Sequence, residues 1–182
     1  MAIIAPILFN YRETNMSSTF VAILMGSDSD LPVMQSTLDI LTQFNIDYEV
    51  RVRSAHRTPD AAKAYVKDAE ARGCKVFICA AGLAAHLAGA VAGMTTRPVI
   101  GVPVDCGPLQ GHDALLSTVM MPGGIPVATV AIGKAGAKNA GYLAAQILAV
   151  ADDILAEKVK AERVANAEAL LAKDAALQAK LS

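Results

Sequence analysis

The 182-residue chain carries 16 basic and 17 acidic side chains for a formal net charge of −1, and without a dense Lys/Arg cluster it lacks the electrostatic footprint of a nucleic-acid-binding protein. The length fits one well-buried domain and is too short for two. Hydrophobic residues make up 54% of the chain but aromatic ones only 4%, so the core has to be assembled from Ala, Val, Ile and Leu, which suits helices packed closely on a buried sheet or against neighbouring subunits.

Residues 1–19 read as an N-terminal extension outside the fold. The run over residues 1–9 is apolar, but no basic segment precedes it and Arg12 and Glu13 follow without a small-residue cleavage site, so it is not a signal peptide. Residues 21–25 form a short apolar strand that ends in Gly26-Ser27-Asp28-Ser29-Asp30, and Leu31-Pro32 opens an amphipathic helix to Phe44. Residues 47–52 alternate as a half-buried strand does. The turn Ser54-Ala55-His56-Arg57-Thr58-Pro59-Asp60 follows, with Thr58 as N-cap and Pro59 at the first position of a helix reaching Arg72, which Gly73 ends.

A third strand spans residues 75–81, and Gly82 turns into a helix over 84–94. Residues 76–94 hold no formal charge apart from a possible one on His86, as a membrane span would, yet Gly82, Gly89 and Gly93 interrupt them. They divide into a β-branched half and an Ala-rich half, so a buried strand and a buried helix are expected. A fourth strand (97–104), a loop (105–111) and a helix (112–120) come next. Pro122-Gly123-Gly124-Ile125-Pro126 breaks that helix with a turn rigid enough to shape a crevice wall. A fifth strand (127–132) and a small-residue helix (134–150) complete an alternation that predicts a three-layer, doubly wound α/β fold around a parallel sheet, flavodoxin-like or Rossmann-like. The tail, Ala-, Lys- and Glu-rich with spaced leucines, reads as one or two exposed amphipathic helices. It has no place on its own sheet, so contact with a neighbouring subunit is inferred. The domain plan is therefore an extension (1–19), a catalytic domain (20–155) and a helical tail (156–182).

Two strand–turn–helix units with polar tips imply one crevice at the carboxyl ends of the strands, where helix N-termini offer free N–H groups to an anion; a phosphorylated metabolite fits it. Arg57, beside Ser54 at a helix start, has the fork and the hydroxyl partner for a phosphate. Asp30 can accept two hydrogen bonds from a sugar diol, although Ser27, Asp28, Ser29 and Asp30 would equally serve as helix caps. His56 reads as a proton shuttle. His86, a turn into its helix, reads first as a core histidine or one that backs the site, with ligand contact the lesser reading. The histidines at 56, 86 and 112 have no i, i+4 spacing, and Cys74, Cys79 and Cys106 are odd in number without CxxC spacing. Neither a metal site nor a disulfide is expected, and buried thiols in a reducing cytoplasm are.

The motifs Gly26-Ser27-x-Ser29-Asp30, Ser54 to Asp60, Ala84-Ala85-His86-Leu87 and Met121-Pro-Gly-Gly-Ile-Pro-Val-Ala-Thr-Val-Ala-Ile-Gly-Lys together resemble the PurE family, the class I N5-carboxyaminoimidazole ribonucleotide mutases of de novo purine biosynthesis, over roughly residues 20–155. The resemblance implies a cofactor-free isomerisation in a cytoplasmic homo-octamer. Substrate would lose CO2, the CO2 would be held nearby, and C4 of the aminoimidazole would capture it. It also implies His56 as general acid/base, Ser27, Ser54 and Arg57 on the phosphate, Asp30 on the ribose hydroxyls, and backbone groups of Ala81 and Gly82, with His86, at the migrating carboxylate.

The chain departs from the family pattern in three places. Gly-Ala-Gly-Gly-Ala-Ala-His-Leu-Pro stands here as Ala80-Ala81-Gly82-Leu83-Ala84-Ala85-His86-Leu87-Ala88, with Leu83 the largest change: a leucine is expected to turn there only with negative φ. Met120 replaces a Gln and Ala114 a Ser. Two other readings stay open: an aminoimidazole ribonucleotide carboxylase that uses free CO2, whose motif carries Lys where Arg57 stands, and a non-catalytic nucleotide-binding module, against which His56 argues.

Overall fold

The computed structural model describes residues 19–181; of the expected extension over 1–19, all but Thr19 lies outside the described residues. The strands are β1 (Phe20–Met25), β2 (Asp47–Val52), β3 (Cys74–Ala81), β4 (Val99–Pro103) and β5 (Ala128–Thr129), and the helices are α1 (Leu31–Gln43), α2 (Pro59–Ala71), α3 (Leu87–Ala92), α4 (His112–Val119), α5 (Gly133–Ala149) and α6 (Asp153–Leu181). All strand pairs are parallel, in the order β2-β1-β3-β4-β5. The chain leaves β1 toward one edge and returns on its other side at β3. The connections therefore diverge between the tips of β1 and β3, which opens a crevice there.

β1 is buried on both faces, and its two-residue period divides the core. Val21, Ile23 and Met25 join Ile78 and Ile100 beneath α1 and α5. Phe20, Ala22 and Leu24 join Phe77 and Cys79 beneath α2 and α3. The α1–α5 contact is close because α5 presents Ala137, Ala140, Gly141 and Ala144 to it, all buried. A Cβ on Gly141 would lie 2.9 Å from that of Ile40, and the buried Thr37 hydroxyl donates to the Ala137 carbonyl at 2.6 Å. The small-residue face of α5 is thus occupied by the protein's own α1.

The main departures from the sequence reading are in three elements. The helix expected over 84–94 is the shorter Leu87–Ala92, and it follows a turn in which Leu83 adopts φ +55°. The strand expected over 127–132 contracts to two residues. Pro126 lies just before it and its outer edge has no partner among the described residues, so short pairing leaves little unpaired backbone exposed. The tail is one 29-residue helix whose buried residue is Leu155; Leu170, Leu171, Leu177 and Leu181 are exposed. Residues 76–94 divide into β3 and α3 with the turn between them, and no described helix is long and apolar enough to cross a membrane.

The half-exposed strand β2 is tied to α2 by a polar cluster. Glu49 accepts hydrogen bonds from Tyr65 (3.0 Å) and from both terminal nitrogens of Arg72, while Arg72 Nε donates to Asp68. The Arg72 hydrogen bonds outweigh desolvation and hold the Glu49 carboxyl below its ordinary value of 4.5. A lowered carboxylate pKa contributes stability that is fully present above the ordinary value and is lost as pH falls through the lower, folded one. Glu49→Gln should therefore cost up to about 1 kcal/mol at pH 7, with the difference from wild type vanishing in melts run below that folded pKa. A constant difference down to pH 2 would show that Glu49 acts by packing instead.

Candidate functional site

The loop after β1 is fixed by its own side chains. Ser27 Oγ accepts from the Ser29 N–H at 3.3 Å and Asp30 Oδ2 accepts from the Ser27 N–H at 3.1 Å, a reciprocal cap on the single 3-10 turn Asp28–Asp30 that leads into α1. Capping and ligand binding are not exclusive here, because the same side chains line the crevice. Asp30 is 6% exposed; burial raises its carboxyl above the usual range, opposed by hydrogen bonds from the Ser27 and Gly26 amides.

The loop after β2 closes on itself in a different way from the sequence reading. Thr58 occupies the N-cap position of α2, but its hydroxyl makes no cap. It accepts from the Ser54 N–H at 3.0 Å and donates back to the Ser54 carbonyl at 3.2 Å. Both bonds turn the Thr58 hydroxyl back into the loop rather than over the helix. Ser54 Oγ in turn accepts the Arg57 N–H at 3.1 Å. Arg57 reaches across to β1, where Nη2 donates to the Gly26 carbonyl at 3.0 Å, so one guanidinium joins both polar turns at the start of α2.

The third wall is the segment between β3 and α3. His86 stands at its end as the residue preceding α3, exposed rather than buried, which corrects the reading of it as a core histidine. The turn that contains Leu83 precedes His86, and the imidazole lies in the crevice. His86 Nδ1 lies 2.9 Å from His56 Nε2, with the rings nearly perpendicular at 82°. A single proton serves that bond, so one ring donates and the other accepts, and each fixes the tautomer of its neighbour.

Leu83 itself keeps φ +55°, contrary to the expectation of a negative φ, at a conformational cost of about 1–2 kcal/mol for a side chain with a Cβ. Gly107, in the loop after β4, makes room for it: a Cβ there would lie 2.6 Å from Leu83 Cδ2. Cys106 packs still more closely on Gly82 and is half-buried, whereas Cys74 and Cys79 are fully buried, with burial pushing Cys74 up to about 11 and Cys79 higher still.

These turns enclose one cavity of about 420 Å³ lined by Ser27, Asp30, Ser54, His56, Arg57, Ala81, Gly82 and His86, together with Leu83, Ala84, Leu87 and Cys106. All the residues singled out in the sequence meet there. Leu87 and Cys106 are lining residues that the sequence reading does not name; for Cys106, nothing in the local pattern says that the tip of β4 adjoins that of β3. Pro122 to Pro126 do not line it; Gly124, Ile125 and Pro126 border a cavity beside Arg97 and Pro98 at the start of β4, the opposite end of the sheet. Among the described residues, no group of three or more His, Cys, Asp or Glu is arranged to hold a metal ion.

The cavity is chemically graded. The tips of β1 and β2 supply hydroxyls, a carboxylate and a guanidinium, those of β3 and β4 supply mostly apolar groups, and the imidazole pair stands between. That arrangement suits a phosphorylated ligand whose reacting end is uncharged or loses charge.

The family model described as AIR carboxylase matches residues 20–169. A Thermotoga maritima protein named N5-carboxyaminoimidazole ribonucleotide mutase is 59% identical over 140 residues, covering 77% of this chain and 81% of its own. A Bacillus subtilis protein of the same name is 57% identical over 143 residues, covering 79% and 88%. The solved structure of Treponema denticola PurE superposes with a TM-score of 0.78 at 33% identity, over 87% of this chain and 98% of that one.

Proposed function

The chain belongs to the AIR carboxylase family, and on that premise we propose that it is the isomerase that converts N5-carboxyaminoimidazole ribonucleotide into 4-carboxy-5-aminoimidazole ribonucleotide in purine biosynthesis. The observation that carries this reading is the name shared by relatives more than half identical to this chain, and the graded cavity is what such a substrate requires. Arg57, Ser54 and Ser27 hold the 5′-phosphate at the start of α2, where free amides add to the guanidinium. Asp30 receives the ribose hydroxyls.

With the ribonucleotide held, the bond from N5 to the carboxylate carbon breaks, its electron pair stays on nitrogen, and CO2 is released inside the cavity. C4 attacks that CO2 and forms the new carbon–carbon bond. His56 then removes the C4 proton, which balances the proton gained at N5, so no other reactant is consumed. Backbone groups of Ala81 and Gly82, with His86, face the migrating carboxylate. The absorbance change of purified protein supplied with the N5-carboxylated ribonucleotide should exceed that with the parent ribonucleotide and bicarbonate. The reverse preference would make the protein a carboxylase that uses free CO2.

The same reading carries a cytoplasmic homo-octamer with no nucleic-acid or membrane partner. Its support within this chain is α6, whose leucines at 170, 171, 177 and 181 are exposed and whose contacts are made mainly by its first turns, as in the hydrogen bond from Tyr142 to Glu162. Closed symmetry is the usual outcome for soluble oligomers. Light scattering should give a mass far above 18.9 kDa, and truncation after Ala151 should lower it or cause aggregation. A full-length monomer that is active at micromolar concentration would refute the assembly.

A further inference from the structure

We propose that Leu83 is a positioning residue that retains CO2: its side chain closes the apolar end of the cavity against Gly107 and sets how often released CO2 is captured rather than lost. The inference rests on the isomerase reading and extends it to a residue that does not touch the breaking bond.

Leu83 holds a backbone conformation that glycine adopts freely and leucine resists, with φ +55°. A turn alone would be made better by glycine, so the isobutyl group is present for something other than the turn. It is 52% exposed and borders the cavity, and its methyl occupies the space that a Cβ on Gly107 would need. Gly107 has φ +73°, so two left-handed residues on separate loops meet, one supplying bulk and the other its absence. That contact bridges the loop after β3 to the loop after β4. It stands at the end of the cavity farther along the sheet from the phosphate-type residues on β1 and β2.

CO2 has neither charge nor dipole, so no guanidinium or hydroxyl can retain it well. Apolar walls and exclusion of water are the available means. Ala81, Ala84, Leu87 and Cys106 form such walls around Leu83. The quantity that these walls control is a partition, with capture by C4 on one side and escape to solvent on the other.

The test uses the full-length protein and the variants Leu83→Gly and Leu83→Asn. Both residues adopt positive φ readily, so the turn survives while the apolar group is removed. Each protein is given the N5-carboxylated ribonucleotide in bicarbonate-free buffer, and carboxylated product and released parent ribonucleotide are both quantified. Wild type should yield mainly product. The variants should consume substrate at nearly the wild-type rate while the ratio of parent ribonucleotide to product rises on the order of tenfold, the scale of losing one aliphatic group from a hydrophobic pocket, and saturating CO2 should restore product. Unchanged partition in either folded variant, or equal loss of consumption and product, would overturn the inference and leave the isomerase reading intact. A wild-type protein that does not consume the substrate above background would overturn the isomerase reading, and the inference with it.

Discussion

Replacing His56 with Asn should lower turnover by about 10²-fold or more while leaving nucleotide affinity largely unchanged, because a positioned general acid/base is worth that much and asparagine is polar without being able to exchange a proton. His56 is the imidazole that links the two ends of the cavity. It follows the β2 strand on the loop that carries Ser54 and Arg57, and its Nε2 meets Nδ1 of His86 at 2.9 Å. Asparagine ends near the position of Nδ1 and does not reach His86 as Nε2 does, but it keeps a polar group on the loop. What it cannot do is take a proton from C4. Near-normal turnover in the variant, measured with the N5-carboxylated ribonucleotide, would remove His56 from the chemistry and leave it a mere spacer.

Arg57→Ala should weaken ribonucleotide binding by roughly 1.5–3 kcal/mol, the usual worth of a hydrogen bond to a charged group, which is about 10- to 150-fold in Kd. The guanidinium has a second task, since Nη2 holds the Gly26 carbonyl at 3.0 Å. The dephosphorylated nucleoside separates the two tasks. If Arg57 acts through the phosphate, its removal should barely alter nucleoside affinity. If it acts by clamping the turns together, both ligands should weaken alike. Equal affinity of the wild-type protein for nucleotide and nucleoside would show that no phosphate is held here at all.

The fold was legible wherever the signal is local and repeated. The apolar run at 21–25, the alternation over 47–52 and the Pro59 and Gly73 boundaries correspond to β1, β2 and the limits of α2. The meeting of Asp30, Ser54, His56 and Arg57 was legible too, because a strand–turn–helix unit fixes which end of the sheet its turn occupies. Features that depend on another element's position were not. With an Ala-rich helix expected from residue 84, His86 reads first as a core histidine or one that backs the site; its exposure follows from the turn before α3, where Gly107, more than 20 residues later, leaves room for the Leu83 side chain. The rigid run 122–126 was recognised as unusual, yet its rigidity says nothing about which end of β4 it borders. By type and position the Thr58 hydroxyl reads as a cap, whereas the Ser54 backbone takes up both its donor and its acceptor. The two-residue β5 shows the same limit, since pairing length at an edge depends on the neighbour as much as on the strand.

The central claim is that a carboxylate leaves N5 and reappears at C4 without leaving the cavity, and isotope retention measures it most directly. The full-length protein is supplied with N5-carboxylated ribonucleotide labelled with ¹³C in the carboxylate, in excess unlabelled bicarbonate, and the product is analysed by mass spectrometry at early turnover. Most of the product should carry the label at C4. Product that carries mainly unlabelled carbon would show that CO2 is drawn from solution, and would contradict the account.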